Sequence, residues 1–392
     1  MSTNDARHIV IIGGGIIGCT TAYYLTRHPG FLPSRVTVTL VEASAHGAAQ
    51  GASGKAGGLV AKWAYPKELV SVSFNEHVKL ANEHNGKDRW GWRYVSTGSW
   101  EGRGELYPDE STSIQGPGSH GLNQKRSLEK TLGLEEGRRG NSNRKHKGLP
   151  DDLLWVKENS TQSYSSMAPD GATAQVHPYL FTTSMLELAK DKGVVFKSGT
   201  ITSIIKSNGK VTGVAYREPG KDANQTLPAT DVIVCAGAWS PSLIPRLPIV
   251  GTRAHSIVVR TLPAATIAPY VLFTEITGLG PANDVSTPEI YARPDGTEAC
   301  EKLQKSVSSI SAEIRAGTVE VRQACFLPVS SIGGGPIIGE AQNIARGLFI
   351  ATGHTCWGIS NAPGTAKAIT ELVMDGRIKC ADLKKLKPSG FI

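Results

Sequence analysis

The chain has 392 residues, 40% hydrophobic and 19% charged, which excludes a wholly disordered polypeptide and leaves room for two domains. Its net charge of +8 is concentrated: residues 121–148 hold eight Lys/Arg against three Glu, a surplus of +5, so about +3 remains elsewhere and no nucleic-acid partner is indicated. No run approaches the ~18 apolar residues of a membrane span, and six scattered cysteines without C-x-x-C spacing suit a reducing, cytoplasmic setting without structural zinc or disulfides.

Residues 8–12, HIVII, form an apolar run of the kind that makes a buried parallel strand. It is too short for a secretory signal, and none is expected. Gly13, Gly15 and Gly18 follow in G-x-G-x-x-G spacing, and Ile16 to Arg27 reads as a helix. The first glycine permits a tight turn, the second lets backbone approach a pyrophosphate, and the third lets helix pack on strand. The phosphates would then face the helix N-terminus at Ile16 and Ile17, where free amides and the helix dipole favour negative charge. A second strand, Val36 to Val41, leads to Glu42 and Ala43. The Glu42 carboxylate can accept hydrogen bonds from two ribose hydroxyls and would repel a 2′-phosphate, so the pattern indicates FAD or NAD and not NADP.

Residues 45–63, AHGAAQGASGKAGGLVAKW, are too rich in small residues for a regular element and read as a loop lying close against a ligand. Ser53 and the backbone of Gly54, Ala56, Gly57 and Gly58 are candidates to bond it, with Lys55 placing a cation alongside. Pro66 to His84 has apolar residues at helical spacing. Trp90, Trp92, Tyr94 and Trp100 fall at even positions and suggest an extended segment with one aromatic face. From Glu101 to Gly148 the chain is polar and aperiodic, which predicts a disordered insertion.

Regular structure is expected again from Leu149, with a helix at 179–190 and strands at 194–196, 201–205 and 211–216, the last two joined by the SNGK turn. DVIVCAGAWSPSL (231–243) is a buried strand running into Ala236, Gly237 and Trp239. That is the carboxyl edge of a parallel sheet, where such folds hold cofactors. Residues 253–260 and TPEIYARPDGT read as antiparallel strands, and 298–311 as a helix. The last third combines VRQACFLPVSSIGGGPIIGE with GLFIATGHTCWGISNAPGTAKAITELVMDG: a strand, a Gly353–His354 loop, Trp357, Gly358, and a helix from Ile359 or Ser360. That helix N-terminus can face a flavin N1–C2=O and stabilise negative charge there.

Taken together, the glycine turn, GKAGG, QVHP, AGAW and GHTCWGISNAPG resemble the D-amino-acid-oxidase superfamily of FAD-dependent oxidoreductases. Glycine oxidase, sarcosine oxidase and the fructosyl-amine oxidases are members, and the greatest similarity is to a fungal branch named as oxidoreductases. The resemblance covers nearly all of the chain outside the insertion. It implies an α/β fold, α+β overall, in which a Rossmann-like FAD-binding domain (1–90, 190–250 and 330–380) is interleaved with a smaller substrate domain on an antiparallel sheet (91–100, 149–189 and 251–329).

It also implies FAD as cofactor. The pyrophosphate would lie at Gly13, Gly15 and Gly18, the ribose at Glu42, and Ser53 to Gly58 along the pyrophosphate and isoalloxazine. Ile201 would hold adenine by its backbone, Ala236 and Gly237 would sit under the dinucleotide, and Gly353, His354, Gly358 and Ile359 would surround the ring. Cys325 falls where sarcosine and fructosyl-amine oxidases carry a thiol bonded to the flavin 8α-methyl; a buried core cysteine is the other reading.

Two departures stand out. Leu327 precedes Pro328 where amino-acid oxidases of the superfamily place an arginine for the substrate carboxylate, and Ile332-Gly333-Gly334-Gly335 replaces the usual Asp-Gly, leaving Arg322 or Arg293 as substitutes. In addition, the IYARPDGT segment runs into the helix at Glu298 without a strand that relatives carry between them.

The activity implied is oxidation of a C–N bond in a small primary or secondary amine or amino acid, with O2 or another acceptor reoxidising the flavin. Lys55, His354, Trp357 and Tyr291 are the candidate pocket residues, Lys55 or His354 assisting O2 reduction as a cation. A rival reading makes FAD a structural ligand of a protein with an interaction or trafficking role. An NAD-dependent dehydrogenase is a third, disfavoured because three glycine-rich stretches exceed what NAD needs.

Overall fold

The computed structural model describes residues 6–105, 148–279, 284–292 and 301–392. The expected insertion beyond Glu105, Arg293 and the 297–298 junction lie outside the described residues. Two compact units are present: residues 1–93, 175–254 and 325–392 form the first, and 94–174 and 255–324 the second.

The first unit is built on a six-stranded sheet. Its spatial order is Ile337–Glu340, Leu348–Thr352, Asp231–Val234, Arg7–Ile12, Val36–Glu42, Val195–Ser198. All neighbours run parallel except the first pair. The strands ending at Ile12, Val41 and Val234 are in register, so their carboxyl ends finish side by side. The central segments Ile9–Ile12, Asp231–Val234 and Leu348–Thr352 are buried at every position, as strands covered on both faces are, while Val36–Glu42 alternates over its first half.

One face packs on a three-stranded antiparallel sheet, Asn224–Pro228, Lys210–Arg217 and Thr200–Ser207, through Val211, Val214 and Tyr216. Its hairpin turns at Asn208 and Gly209, both at positive φ, as the SNGK sequence requires. In the helical layer, helix Ile16–Leu25 is buried at every position except Tyr24. Such an element carries no polar face, and its threonine hydroxyls bond back to carbonyls of the preceding turn. Helix Gly358–Asp375 packs against both Ile16–Leu25 and Lys67–Glu83.

Helix Pro178–Lys190 belongs to the first unit and not to the segment group 149–189 expected for the substrate domain. Its apolar face, Phe181, Met185 and Ala189, is buried, and the helix packs on Ile16–Leu25. Residues 325–329 likewise fall in the first unit. The even-numbered aromatics are not one extended face. Asn85 and Gly91, both at positive φ, bracket a helical turn, Gly86–Trp90, so Trp90 is helical while Tyr94 is half exposed.

The second unit holds a four-stranded sheet ordered Glu289–Tyr291, Tyr270–Thr277, Ser96–Arg103, Thr161–Ser166. Its central pair is parallel and its outer pairs antiparallel, so the sheet is mixed. Ser96–Arg103 shows that the chain stays regular past Glu101, where the insertion was expected to begin. Trp100, Trp155, Leu272, Ile276 and Ile310 form its core. No helix among the described residues is long and apolar enough to cross a membrane.

Candidate functional site

The three glycines of the first turn are required for three different reasons. Gly13 has φ +108°, and a Cβ there would lie 2.5 Å from the Cys235 carbonyl oxygen of the adjacent strand end. A Cβ on Gly18 would lie 2.0 Å from the Gly13 carbonyl oxygen, so the helix rests directly on the turn. Around Gly15 a Cβ would meet protein only at the Ser53 hydroxyl, 3.0 Å away, because this residue faces a cavity.

That cavity, of about 530 Å³, lies within the first unit. Gly13, Gly15, Ile16 and Ile17 form its floor at the start of the helix. Glu42 and Ala43 enter from the second strand end, Ser53 and Ala56 from the small-residue segment, and Ile201 from the hairpin sheet. Ala236, Gly237 and Trp239 come from the Asp231–Val234 strand end, and His354, Gly358 and Ile359 from the last one. Four loops at one edge of the sheet thus supply one wall each, which follows from the strand register above.

Several polar groups are already oriented. The Glu42 carboxylate accepts from the Gly14 amide at 2.6 Å and the Ser44 amide at 2.7 Å, which fixes it at the mouth of the glycine turn. The Ser53 hydroxyl accepts from the Ile16 amide at 2.9 Å. Ser240 and Thr352 join the two neighbouring strand ends: their hydroxyls lie 3.1 Å apart and 2.8 and 3.0 Å from the Gly237 carbonyl oxygen, with two protons shared among the three contacts. Trp239 and Phe326 meet edge to face, ring centroids 6.2 Å apart. They stay 57% and 43% exposed, so the aromatic pair forms the open lip of the cavity.

Backbone strain collects here as well. Of four non-glycine residues at positive φ among the described residues, Asn85 and Asn208 occupy ordinary turns, but Ala49 and Thr355 line the cavity. A β-branched threonine in that region is a conformation imposed by its surroundings.

Not every expected residue lies on the wall. Gly18, Gly54, Gly57, Gly58, Gly353 and Lys55 are off it. A Cβ on Gly54 would come within 2.0 Å of the Ala49 carbonyl oxygen, and one on Gly58 within 1.9 Å of that of Val176. Gly353, at φ +82°, makes the turn out of the last strand. Trp357 is buried edge to face on Trp63, 5.4 Å between centroids. Tyr291 belongs to the second unit, where its hydroxyl donates to Glu289 at 2.5 Å.

Cys325 is off the wall while the next three residues, Phe326, Leu327 and Pro328, are on it. Those three, with Ala49, Gly51, Thr200 and Cys356, are wall residues that sequence reasoning missed. The density of glycine and alanine from residue 45 was the available signal for Ala49 and Gly51.

His354 is not the cation expected of it. It is buried, its Nε2 lies 3.0 Å from the Thr365 hydroxyl, and burial pushes its pKa down to about 3, so the imidazole is neutral.

The donor set suits a dinucleotide. A helix start offers backbone amides, the glycine at its entrance is bare toward the cavity, and an oriented carboxylate ends the second strand. The far wall is formed by the start of a second helix, Gly358–Asp375. Fold and site therefore define an α/β protein whose glycine turn opens on a cavity at the carboxyl edge of its parallel strands.

The sequence profile of the family described as DAO, FAD dependent oxidoreductase, matches residues 8–372, and the chain belongs to that family. It is 29% identical to TDA3 of Saccharomyces cerevisiae, over 99% of this chain and 95% of that protein. It is 30% identical to C1F5.03c of Schizosaccharomyces pombe, over 99% of this chain and all of that one; both relatives are oxidoreductases by name only. Among solved structures, iminodiacetate oxidase from Chelativorans sp. BNC1 shares the fold at a TM-score of 0.68, with 19% identity over 97% of this chain and 98% of that one.

Proposed function

We propose that the cavity holds FAD and that the protein oxidises a C–N bond of a small primary or secondary amine or amino acid to the imine. FAD bound there supplies the two-electron acceptor, and O2 or another acceptor takes the electrons onward. The observation that carries this reading is the convergence of the glycine turn, Glu42 and the Gly358–Ile359 helix start on one cavity. Support for the amine class comes from the family and from the name of the iminodiacetate oxidase with which the fold is shared.

In this reading the pyrophosphate is received by the first-turn amides of helix Ile16–Leu25 other than that of Ile16, which Ser53 already holds. Glu42 accepts from the ribose with its remaining lone pairs. Backbone at Ile201 meets the adenine, and Ala236 and Gly237 leave room beneath the dinucleotide. Gly358 and Ile359 present amides and the positive end of the helix dipole to the ring, favouring negative charge there. Trp239 and Phe326 form an apolar lip that keeps water from the reacting carbon. His354, uncharged, braces its loop through Thr365. The cavity wall carries no lysine or arginine among the described residues, so there the cofactor would be met by backbone amides and the helix dipoles and not by cationic side chains.

Purified protein from flavin-replete cells should be yellow, and acid precipitation should release the colour to the supernatant. Anaerobic mixing with D- and L-amino acids, N-methyl amino acids, fructosyl amines and carboxylate-free amines should bleach it with at least one class. A yellow protein inert to all of them would favour the non-catalytic, interaction-type role. A colourless protein that refuses added FAD would end both readings.

A further inference from the structure

Helix Gly358–Asp375 contains an internal proline, Pro363. Proline has no amide hydrogen, so the carbonyl four residues earlier, that of Ile359, loses its helical donor. His77, on helix Lys67–Glu83, replaces it: its Nε2 lies 3.0 Å from the Ile359 carbonyl oxygen. A carbonyl oxygen can only accept, so Nε2 carries the proton and Nδ1 is bare. Nδ1 has no hydrogen-bond partner among the described residues.

The imidazole is buried, stacked on Trp92 at 6.0 Å and against Phe181 at 5.0 Å. A histidine is an expensive way to fill such a space, since any branched apolar residue would fill it without a polar nitrogen to bury. What it alone adds is an N–H aimed at the orphaned carbonyl.

The same stretch of helix is fastened at three further points. Ser73 donates to the Asn361 carbonyl at 3.3 Å, the Ala61 amide donates to the Ser360 hydroxyl at 3.2 Å, and the Asn361 side-chain amide donates to the Tyr65 carbonyl. A Cβ on Gly364 would come within 2.2 Å of the Ser73 hydroxyl, so the two helices are in direct contact there. Gly358 and Ile359, at the start of this stretch, are cavity wall.

We propose that His77 is a positioning residue for the flavin ring: by donating to the Ile359 carbonyl in place of the amide that Pro363 lacks, it sets where the Gly358–Ile359 helix start stands against the ring. The proposal rests on the flavin reading above. A helix start held in place stabilises the anionic reduced ring, and one allowed to drift stabilises it less.

The test uses FAD-loaded protein and three variants, His77→Phe, His77→Gln and His77→Phe/Pro363→Ala, read by the flavin midpoint potential and the affinity for sulfite. His77→Phe is expected to keep FAD but to destabilise the reduced form about tenfold, close to 30 mV more negative for a two-electron couple, with a similar loss of sulfite affinity. His77→Gln keeps a side-chain N–H and should stay within about threefold of wild type. In the double variant, alanine at 363 returns the helical amide to Ile359 and should restore the potential.

A yellow His77→Phe protein with the wild-type potential overturns the proposal. So does a double variant that recovers thermal stability but not potential. If His77→Phe fails to fold, a shifted potential in both other variants overturns it equally. Wild-type protein that cannot take up FAD is a different failure, that of the flavin reading, and shows before any variant is made.

Discussion

Gly18 lies so close on Gly13 that a side chain on the first would enter the carbonyl oxygen of the second, 2.0 Å from its Cβ. Gly15, between them, has only the Ser53 hydroxyl nearby. Alanine should therefore separate fold from ligand. Gly18→Ala is expected to destabilise the FAD-free protein by about 3 kcal/mol through overpacking. Gly15→Ala should cost the FAD-free protein less than about 1 kcal/mol as a poorer helix cap, yet lose FAD retention, because the added methyl points into the cavity. Urea denaturation and flavin absorbance after gel filtration read the two effects; equal loss of stability in both variants would contradict the assignment.

Lys367 on the C-terminal helix meets Glu76 at 2.6 Å, and the Tyr24 hydroxyl donates to the other carboxylate oxygen at 2.8 Å. Glu76 is buried, while Lys367 reaches partly to solvent. Lys367→Met should cost about 2–4 kcal/mol, because it leaves a buried carboxylate with only a hydroxyl to satisfy it. Adding Glu76→Gln should recover most of that loss. Denaturation midpoints of the two single variants and the double variant decide it.

Two buried histidines make stability depend on pH in one direction. Burial lowers the pKa of His77 to about 4 and that of His354 to about 3. In the unfolded chain both return to near 6.5, so below that pH the unfolded state binds protons that the folded state refuses. Their contribution is intact above about pH 6.5 and is lost progressively toward pH 4 for His77 and pH 3 for His354. Between about pH 6 and 4.5 each should contribute a slope of about 1.4 kcal/mol per pH unit. Denaturation of FAD-free protein at pH 7, 6 and 5 should show a two-proton dependence, reduced toward one in His77→Gln.

Glu42 holds the Gly14 and Ser44 amides while facing the cavity. Glu42→Gln keeps the size but gives up the charge and one acceptor. FAD affinity should fall about tenfold or more, roughly 1.4 kcal/mol, the worth of one hydrogen bond to a charged group. Fluorescence titration of FAD-free protein measures it, and an unchanged dissociation constant would remove Glu42 from the ribose site.

The glycine turn, its flanking strands and Glu42 were legible because all their determinants sit within 35 consecutive residues. Gly358 and Ile359 were legible as a third glycine-lined strand-to-helix turn, after those at Gly13 and Gly237. His77, Ser73 and Glu76 were not: on helix Lys67–Glu83 they look like the solvent face, and only a partner helix nearly 300 residues away buries them. Phe326 and Leu327 escaped for a similar reason. Which residues of a long strand face a cavity depends on its register, and register is settled by distant pairing. Lys55 was placed on the wall because it sits among wall residues, but Lys55 closes the one-turn helix Ala52–Lys55 and lies off the wall.

The central strand Arg7–Ile12 lies between Val36–Glu42 and Asp231–Val234, and the latter waits in turn for Leu348–Thr352. A ribosome adding about 5–20 residues per second needs on the order of ten to forty seconds to move from the first of these to its second neighbour. Throughout that interval the nascent polypeptide carries a greasy, half-paired ribbon with one open edge. Biogenesis, more than equilibrium, is therefore where this topology is vulnerable, and chaperone supply during translation should govern how much mature protein accumulates.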